Sequence, residues 1–582
     1  MTSPNPALVT VRGARALPRL PLLLLCGAYV LPGLFGRDPW RNADVIAFGQ
    51  MAAMAQGRSS WWLPSLGGVP TDAALLPNWL GASAIALLSP LLDPAFAARL
   101  PFAVLLALTL ALVWYTSFHL ARTEAAQPLA FAFGGEADPV DYARAIADGA
   151  LLALMATLGL LQLGHETTPE LVQLFAISLF LYGLAAAPYR AGRSRWAVLI
   201  ALPLLAGSGA PSLALAAGAV GSLVCGLSRL PAVRRLVLWV MLAAAMAVVL
   251  AWTLGAWRWR VQSWDALDLT SLARQWLWFT WPALPLAVWT LWRWRLRLSY
   301  RHVSVPLIAV GIGLGANLNM GGSDRALLLA LPGLAVLAAF ALPTFRRSAS
   351  AAIDWFSMFF FTASALTIWV IYVAMHTGVP AQPAANLARQ VPGFEAKFQW
   401  LALVLALLGS AAWVALVRWR SGRHREALWK SLVLPAGGVA LCWLLIMTLW
   451  LPPFDYARSP RPVSDLIVRH VPAGACIAAP GVSPVTVAAL EYFGQRRVDA
   501  RVQAGSGADG CDHLLVVQRL RSRANLDNAA PAQPGWQPVA RIPRPTEPNE
   551  ITWIYRRTLT STPTPMTPAA ATPAVAPAGA AP

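Results

Sequence analysis

The chain has 582 residues, of which 57% are hydrophobic and only 12% are charged. That composition excludes an ordinary soluble protein, in which about 25% of the residues are charged. The 45 Lys and Arg residues against 26 Asp and Glu give a net charge of +19, which in a soluble protein would suggest nucleic-acid binding. No basic stripe, zinc-ligand spacing or RNA-binding aromatic motif accompanies the charge, so the composition favours a polytopic membrane protein with an appended soluble piece.

About thirteen apolar segments are predicted to cross a membrane, because a bilayer core needs roughly 20 apolar residues per helix. The first of them is predicted to be an uncleaved helix, since it lacks a small-residue cleavage site and many further segments follow. The thirteen segments are 19–36, 97–121, 145–164, 169–188, 194–208, 210–228, 234–256, 275–293, 303–319, 325–343, 353–375, 397–418 and 431–451.

The basic residues are concentrated in alternate loops between these segments. If the N-terminus lies in the cytoplasm, the Arg-rich loops all lie inside, as the positive-inside rule requires. An odd number of spans then places the chain after residue 451 outside the cytoplasm. Most of the net positive charge is therefore a topology signal, and it gives no reason to expect nucleic acid as a partner. The inner-loop residues are Arg190, Arg193, Arg195, Arg229, Arg234, Arg235, Arg293, Arg295, Arg297, Arg301, Arg346, Arg347, Arg418, Arg420, Arg423, Arg425 and Lys430.

The predicted fold class is an all-α polytopic membrane protein with a small extracytoplasmic α/β domain near the C-terminus. Residues 1–452 form the transmembrane region, in which the first outer loop, 37–96, is the predicted working surface. Its apolar stretch at 80–92 is too short to cross a bilayer and is expected to lie along the interface.

Residues 453–558 alternate short apolar runs with one helical stretch at 484–494, a pattern typical of a small α/β domain. The last part, 559–582, is dominated by Thr, Pro and Ala and is predicted to be a disordered tail. Cys476 and Cys511 both lie in the predicted domain. They form either a disulfide, which an oxidising compartment would allow, or two free buried thiols.

Several motifs together resemble polyprenyl-phosphate-dependent glycosyltransferases of the GT-C superfamily. They are most similar to bacterial aminoarabinose transferases and protein O-mannosyltransferases. The resemblance covers most of residues 20–345. It rests on Gly36-Arg37-Asp38-Pro39-Trp40-Arg41-Asn42-Ala43-Asp44, Met51-Ala52-Ala53-Met54-Ala55-Gln56-Gly57, Trp62-Leu63-Pro64, Leu76-Pro77-Asn78-Trp79-Leu80, Ala97-Ala98-Arg99-Leu100-Pro101, Gly207-Ser208-Gly209-Ala210-Pro211, and Arg325 followed by Leu328-Leu329-Ala330-Leu331-Pro332.

The resemblance implies a bacterial inner-membrane enzyme that moves a sugar from a polyprenyl phosphate to an acceptor on the outer side, with inversion. The implied partners are membrane lipids, a polyprenyl-phosphate-linked sugar donor and a lipid, glycan or protein acceptor. An acid of the first loop would be the base that activates the acceptor, and Asp44 is the predicted base. Its structural alternative is an acid in the first turn of a helix.

This sequence departs from the family pattern at two places. The family usually has two adjacent acids where this chain has Ala43-Asp44, and it tends to have Lys-Pro-Pro where this chain has Ala73-Ala74-Leu75. The phosphate-binding lysine is therefore missing. Arg41, Arg58 or Arg325 would have to replace it, and an interfacial anchor is the alternative role for each.

A second acidic cluster, His165-Glu166-Thr167-Thr168-Pro169-Glu170, precedes the fourth span. Glu166 and Glu170 are predicted to be catalytic together with Asp44: one of them would hold the acceptor or help to bind a divalent ion. His165 is predicted to bind substrate. The structural alternative is a helix that begins at Thr168-Pro169, where an acid suits the positive end of the dipole. Metal dependence stays open, because two neighbouring ligands do not make a metal site.

Asp72 and Trp79 of the first outer loop complete the predicted substrate-binding residues. Trp79 would stack on a sugar ring, and its alternative role is in the interfacial aromatic belt. A different class of function, a transporter or lipid flippase, would predict repeated halves with broken helices, and the sequence shows no such repeat. A third hypothesis is a catalytically inactive relative that acts as a scaffold, because the lysine and the second acid are missing.

Overall fold

The computed structural model describes residues 7–71, 74–129, 134–257, 268–345, 347–421, 427–501, 511–519, 530–544 and 547–558. It confirms the predicted fold class, a helical polytopic membrane protein with a small sheet near the C-terminus. Within the described residues, eight helices are long and apolar enough to cross a membrane. The predicted tail, 559–582, lies outside the described residues.

The first half of the chain is helical apart from one short hairpin. Two of its helices begin at a proline that follows an aspartate cap, a common start because the first N–H groups of a helix have no partner within it. The helices are Arg19–Val30 (α1), Arg41–Ala55 (α2), Leu75–Leu88 (α3), Pro94–Ala121 (α4), Pro139–Ala156 (α5), Leu158–Leu163 (α6), Pro169–Ala186 (α7), Ala191–Gly207 (α8), Pro211–Gly226 (α9) and Pro231–Thr253 (α10). The hairpin pairs Ser65–Leu66 (β1) with Val69–Pro70 (β2).

The second half completes the bundle around one central helix, α15, whose residues are all apolar and buried. It packs against α5, α12 and α13, as a helix that is apolar on every side should. The helices are Leu269–Phe279 (α11), Ala283–Arg293 (α12), Arg301–Asn319 (α13), Asp324–Leu327 (α14), Leu331–Ala341 (α15), Arg347–Thr377 (α16), Ala381–Gln390 (α17), Trp400–Ser421 (α18) and Lys430–Leu449 (α19).

Each of the thirteen predicted spans overlaps a helix, and eight of them overlap the helices that are long and apolar enough to cross a membrane. Two of the other five are interrupted. The single helix predicted over 275–293 is wrong, because α11 ends at Phe279 and α12 begins at Ala283. Pro282 lies at the break, and proline disfavours a helical conformation in the residue before it. The segment predicted over 145–164 breaks at Thr157, whose backbone is extended. The two breaks meet, since the N–H of Leu158 donates to the carbonyl of Trp281 over 3.2 Å.

A five-stranded sheet forms the C-terminal domain. Its strands, in spatial order, are Arg497–Asp499 (β4), Cys476–Ala478 (β3), His513–Arg519 (β5), Glu547–Arg557 (β7) and Trp536–Arg544 (β6). The strands β3, β4 and β5 are parallel, whereas β5, β7 and β6 are antiparallel. The edge strands β4 and β6 were not predicted, because one is three residues long and the other carries two prolines and two arginines. The helices of this region are Leu451–Arg458 (α20), Arg461–Val468 (α21) and Pro484–Tyr492 (α22).

The domain is docked on the first predicted outer loop. Helix α22 packs against α2 so closely that a Cβ on Gly49 would lie 2.5 Å from the Cβ of Ala488. The hairpin contributes as well, because the N–H of Ala500 donates to the carbonyl of Gly67 over 2.9 Å. Glu491 accepts from the N–H of Gly67 over 3.2 Å. The end of the bundle that carries these contacts is called the domain end below.

Cys476 and Cys511 form a disulfide across 35 residues of sequence, which decides between the two alternatives left open by the sequence. We expect Cys476→Ser to lower the free energy of unfolding of the domain by about 3 to 4 kcal/mol, because the unfolded chain loses its cross-link. Thermal melting of the full-length protein in detergent measures the effect, with Cys442→Ser in α19 as the matched control. An unchanged melting temperature of Cys476→Ser would contradict a stabilising disulfide.

Candidate active site

Asp44 lies in the first turn of α2 and is completely buried. One carboxylate oxygen accepts from the N–H of Trp40 over 3.0 Å. The other accepts from both the N–H and the hydroxyl of Thr167, over 2.8 and 2.9 Å. A nitrogen of Arg37 lies 3.6 Å from the first oxygen. The carboxylate therefore fixes the start of α2 and ties it to the segment before α7, and its predicted role as a base stays a prediction.

Arg325 pairs with two carboxylates of the second acidic cluster, to which Asp44 is bonded through Thr167. Its guanidinium donates to Glu166 over 2.6 Å and lies 3.6 Å from Glu170. Glu166 also accepts from the amide of Gln162 over 3.1 Å. Burial raises the pKa of Glu166, the charge of Asp44 adds to that shift, and Arg325 opposes it. Four of the residues selected from the sequence thus converge at the domain end.

Two arginines near Asp44 were not selected from the sequence. Arg37 is 3% exposed and donates to the carbonyl of His165 over 2.8 Å. Among the described residues its Nε and Nη1 have no hydrogen-bond partner. Arg99 of α4 is also buried and lies close enough to Arg37 and Asp44 to interact with their charges. Both arginines stand in the motifs quoted from the sequence. A charged residue at the end of an apolar segment is costly to bury without a partner, so each could have been selected as a candidate site residue.

A basic cavity of about 510 Å³ lies beside this cluster. It is lined by arginines from three separate segments, Arg325 before α15, Arg458 of α20 and Arg544 of β6, and by residues at the start of α2. The N–H groups and dipole at that helix start favour an anion as well. No carboxylate is among the described residues that line the cavity, which are Asn42, Ala43, Val45, Arg325, Ala457, Arg458, Pro460, Val485 and Arg544.

An apolar cavity of about 560 Å³ adjoins the basic one, and both are lined by Ala457. It lies between the end of α16, helix α17 and the start of α20. Its lining is mainly aliphatic and aromatic, and includes Leu366, Val370, Ile371, Met375, Leu387, Val391, Trp450 and Phe454. The two cavities together suit a molecule with an anionic group and an apolar tail.

Three other residues selected from the sequence, Arg58, Trp79 and His165, do not line the basic cavity. Arg58 pairs with Glu491 of α22 over 2.8 Å and does not line it. Trp79 donates from its indole to the carbonyl of Trp61 over 2.7 Å, within the first loop. Both ring nitrogens of His165 face backbone carbonyls, those of Leu161 at 2.6 Å and Tyr29 at 2.9 Å. Asp72 and the side chain of Arg41 lie outside the described residues.

A carboxylate pair, Asp38 and Asp455, links the first loop to the C-terminal domain. Asp38 forms a two-pronged ion pair with Arg461 over 2.6 and 2.7 Å. One oxygen of Asp455 accepts from the N–H of Asp38 over 2.9 Å and from the indole of Trp40 over 2.6 Å. Burial and the charge of Asp38 raise the pKa of Asp455 to about 6. Sequence reasoning missed Asp455, because it stands alone in a short helix without a motif.

The raised pKa of Asp455 predicts a pH-dependent stability. The folded state binds more protons at Asp455 than the unfolded state between about pH 4 and pH 6, so its contribution to the free energy of unfolding falls as pH rises through that window. We expect Asp455→Asn to remove this pH dependence, which is at most about 3 kcal/mol over the window because one pKa unit corresponds to about 1.4 kcal/mol. The amide oxygen can still accept from Trp40. Melting temperatures across the window measure it. The exposed Asp465→Asn should keep the wild-type slope, and an unchanged slope in Asp455→Asn would contradict the shift.

Over the described ranges, no group of three or more His, Cys, Asp or Glu side chains is arranged to hold a metal ion.

No protein-family model and no curated protein matches the sequence. The fold matches solved structures, two of which are of the same protein. The crystal structure of ArnT from Cupriavidus metallidurans bound to undecaprenyl phosphate is 13% identical, with a TM-score of 0.57, and the match covers 92% of this chain and 96% of that one. The structure of the same protein in the apo state is 14% identical, with a TM-score of 0.56 and the same coverage. The expected resemblance to aminoarabinose transferases is thereby confirmed for the fold: the chain is a polytopic membrane protein with an ArnT-like architecture.

Proposed function

We propose that the protein is a membrane glycosyltransferase that moves a sugar from a polyprenyl-phosphate donor to an acceptor, with inversion. The observation that carries this proposal is the basic cavity next to an apolar one, at the end where Asp44, Glu166, Glu170 and Arg325 meet. The similarity of fold to ArnT, crystallised with undecaprenyl phosphate, supports a donor of the same chemical class.

The donor phosphate would occupy the basic cavity, and its isoprenoid chain would enter the apolar cavity past Ala457. Arg325, Arg458 and Arg544 would hold the phosphate, because guanidinium groups match phosphate oxygens in charge and geometry. Arg325 would then take the place of the lysine that the family pattern has and this chain lacks.

The reaction needs a leaving group and a proton acceptor. The acceptor oxygen or nitrogen attacks the anomeric carbon from the side opposite the phosphate, and the carbon–oxygen bond to the phosphate breaks with its electron pair on the phosphate. The arginines stabilise the phosphate as its charge increases. The proton of the acceptor passes to a carboxylate, which must lie within hydrogen-bond reach.

The geometry favours Glu170 as that carboxylate. Asp44, the base predicted from the sequence, is 1% exposed at its side chain and accepts hydrogen bonds at both oxygens. Glu170 is 25% exposed and lies beside the guanidinium of Arg325. We infer that Glu170 accepts the proton, that Asp44 positions the start of α2, and that Glu166 holds Arg325.

The site would face away from the cytoplasm of a bacterial cell, with the protein in the inner membrane. The Arg-rich loops, such as the one that contains Arg190, Arg193 and Arg195, support an N-terminus in the cytoplasm. A polyprenyl-phosphate donor would then meet its acceptor at the periplasmic leaflet, beside the C-terminal domain. The sugar and the acceptor are not specified by these features.

The test uses full-length protein in liposomes that contain radiolabelled polyprenyl-phosphate sugar and a lipid, glycan or protein acceptor. We expect a covalent product, and we expect Arg458→Ala to lower donor binding by about tenfold or more, as loss of a charged hydrogen bond would. Arg469→Ala, which removes the same charge from an exposed position, is the control. Movement of the lipid across the bilayer without a product would favour the flippase alternative.

A further inference from the structure

A third cavity, of about 570 Å³, is lined by Asp324, the neighbour in sequence of Arg325 in the basic cavity. It is open to the surface. Its other lining residues come from the end of α11 with Trp278 and Phe279, from the loop Met320–Ser323 and from the start of α6. This cavity takes no part in the proposed binding of phosphate or isoprenoid.

Glycines set the backbone and the packing of the residues that line this cavity. Gly321 and Gly322 have φ values of 63° and 83°, which a residue with a side chain rarely adopts. A Cβ on Gly159 would lie 2.4 Å from the ring of Phe279. Side-chain hydrogen bonds tie the lining segments together, since Trp276 donates to the amide oxygen of Asn317 over 2.7 Å and Asn317 donates to the carbonyl of Ser323 over 2.8 Å.

Its polar lining has unused hydrogen-bonding capacity. Within the described residues, the side chains of Ser323 and Asp324 form no hydrogen bond, and the amide of Gln275 donates to the carbonyl of Gly322 over 2.7 Å, which leaves its oxygen available. The indole of Trp278 is 62% exposed. The cavity thus offers an aromatic surface, a carboxylate, a hydroxyl and an amide oxygen around one space.

We propose that this cavity binds a carbohydrate ring. The apolar face of a sugar packs on an indole, and its hydroxyl groups donate to carboxylate and amide oxygens. A phosphate is disfavoured there, because the carboxylate of Asp324 lines the cavity. Arg325, the next residue, lines the phosphate cavity, so a ring here would lie beside the donor phosphate. The inference rests on the proposed function for the source of the ring, which is the donor sugar or a sugar of the acceptor.

The test measures binding of free sugars to the full-length protein in detergent by saturation-transfer NMR, with D-mannose, D-galactose, D-ribose and N-acetyl-D-glucosamine as probes. We expect at least one sugar to bind, and Trp278→Ala and Asp324→Asn each to remove its signal. Trp252→Ala, at a residue that is 76% exposed on α10, and Asp465→Asn are the matched controls and should keep the signal. Trp278→Tyr should retain part of it, which separates loss of the aromatic face from misfolding.

A second arm identifies the source of the ring. Polyprenyl phosphate that carries a sugar should displace the free sugar if the cavity takes the donor ring, and should leave it bound if the cavity takes a ring of the acceptor. Absence of binding by every sugar, or equal binding by wild type and Trp278→Ala, would overturn the proposal. Neither result bears on the transfer assay, so the two proposals can fail separately.

Discussion

Replacing Arg325 by alanine is expected to cause the largest combined loss of stability and ligand binding. Its guanidinium is the charged partner of Glu166, which is completely buried. Leaving that carboxylate unpaired should lower the free energy of unfolding by about 3 to 5 kcal/mol. Loss of the guanidinium from the basic cavity should weaken binding of polyprenyl phosphate by about 100-fold, as expected for a charged hydrogen bond to a phosphate.

A double variant separates the two effects. In Arg325→Ala with Glu166→Gln, the buried group is neutral and can still accept from Gln162. The melting temperature should therefore recover most of its loss, while binding of undecaprenyl phosphate in detergent stays weak. Recovery of binding together with stability would show that Arg325 acts only through the fold, and would remove it from the phosphate site.

The sequence was sufficient to predict the helices and one side of the site. Apolar length located a helix in every predicted segment, and eight of the thirteen segments hold a helix long enough to cross a membrane. The acid in the first turn of α2 and the helix start at Pro169 are local features that follow from capping. Trp281-Pro282 could have predicted the break between α11 and α12, because proline and the residue before it oppose a continuous helix. The apolar residues on both sides of Trp281-Pro282 favoured the prediction of one continuous helix instead.

The other side of the basic cavity could not be predicted. Arg458 and Arg544 lie far from Arg325 along the chain, and they reach it only because the C-terminal domain docks on α2. That docking depends on close fits such as Gly49 against Ala488, which have no motif. The prediction for Arg58 was affected by the same docking. Its position in the first loop suggested phosphate binding, whereas in the fold it pairs with Glu491 of the C-terminal domain.

Glu170→Gln and Asp44→Asn should differ in a way that assigns the proton acceptor. Glu170 is partly exposed and 3.6 Å from Arg325, so its ion pair contributes little to stability, within about 1 kcal/mol. We expect Glu170→Gln to melt near the wild-type temperature and to lower the turnover of transfer by about 10² to 10⁴-fold, the usual contribution of a general base. Asp44→Asn should instead lose about 1 to 3 kcal/mol of stability, because an amide cannot accept every bond that the carboxylate receives.

Thr167→Val supplies the matched control for Asp44. It removes one hydroxyl donor from the Asp44 carboxylate and leaves the carboxylate itself in place. If Asp44 only positions α2, activity in Thr167→Val and Asp44→Asn should fall in proportion to the loss of stability. If Asp44 accepts the proton, Asp44→Asn should lose more turnover than its loss of stability explains, whereas Thr167→Val should not. Glu170→Gln would then transfer normally, and the assignment of Glu170 as the proton acceptor would be wrong. Turnover and melting temperature measured on the same preparations of all three variants distinguish these outcomes, because a base changes the first quantity without the second.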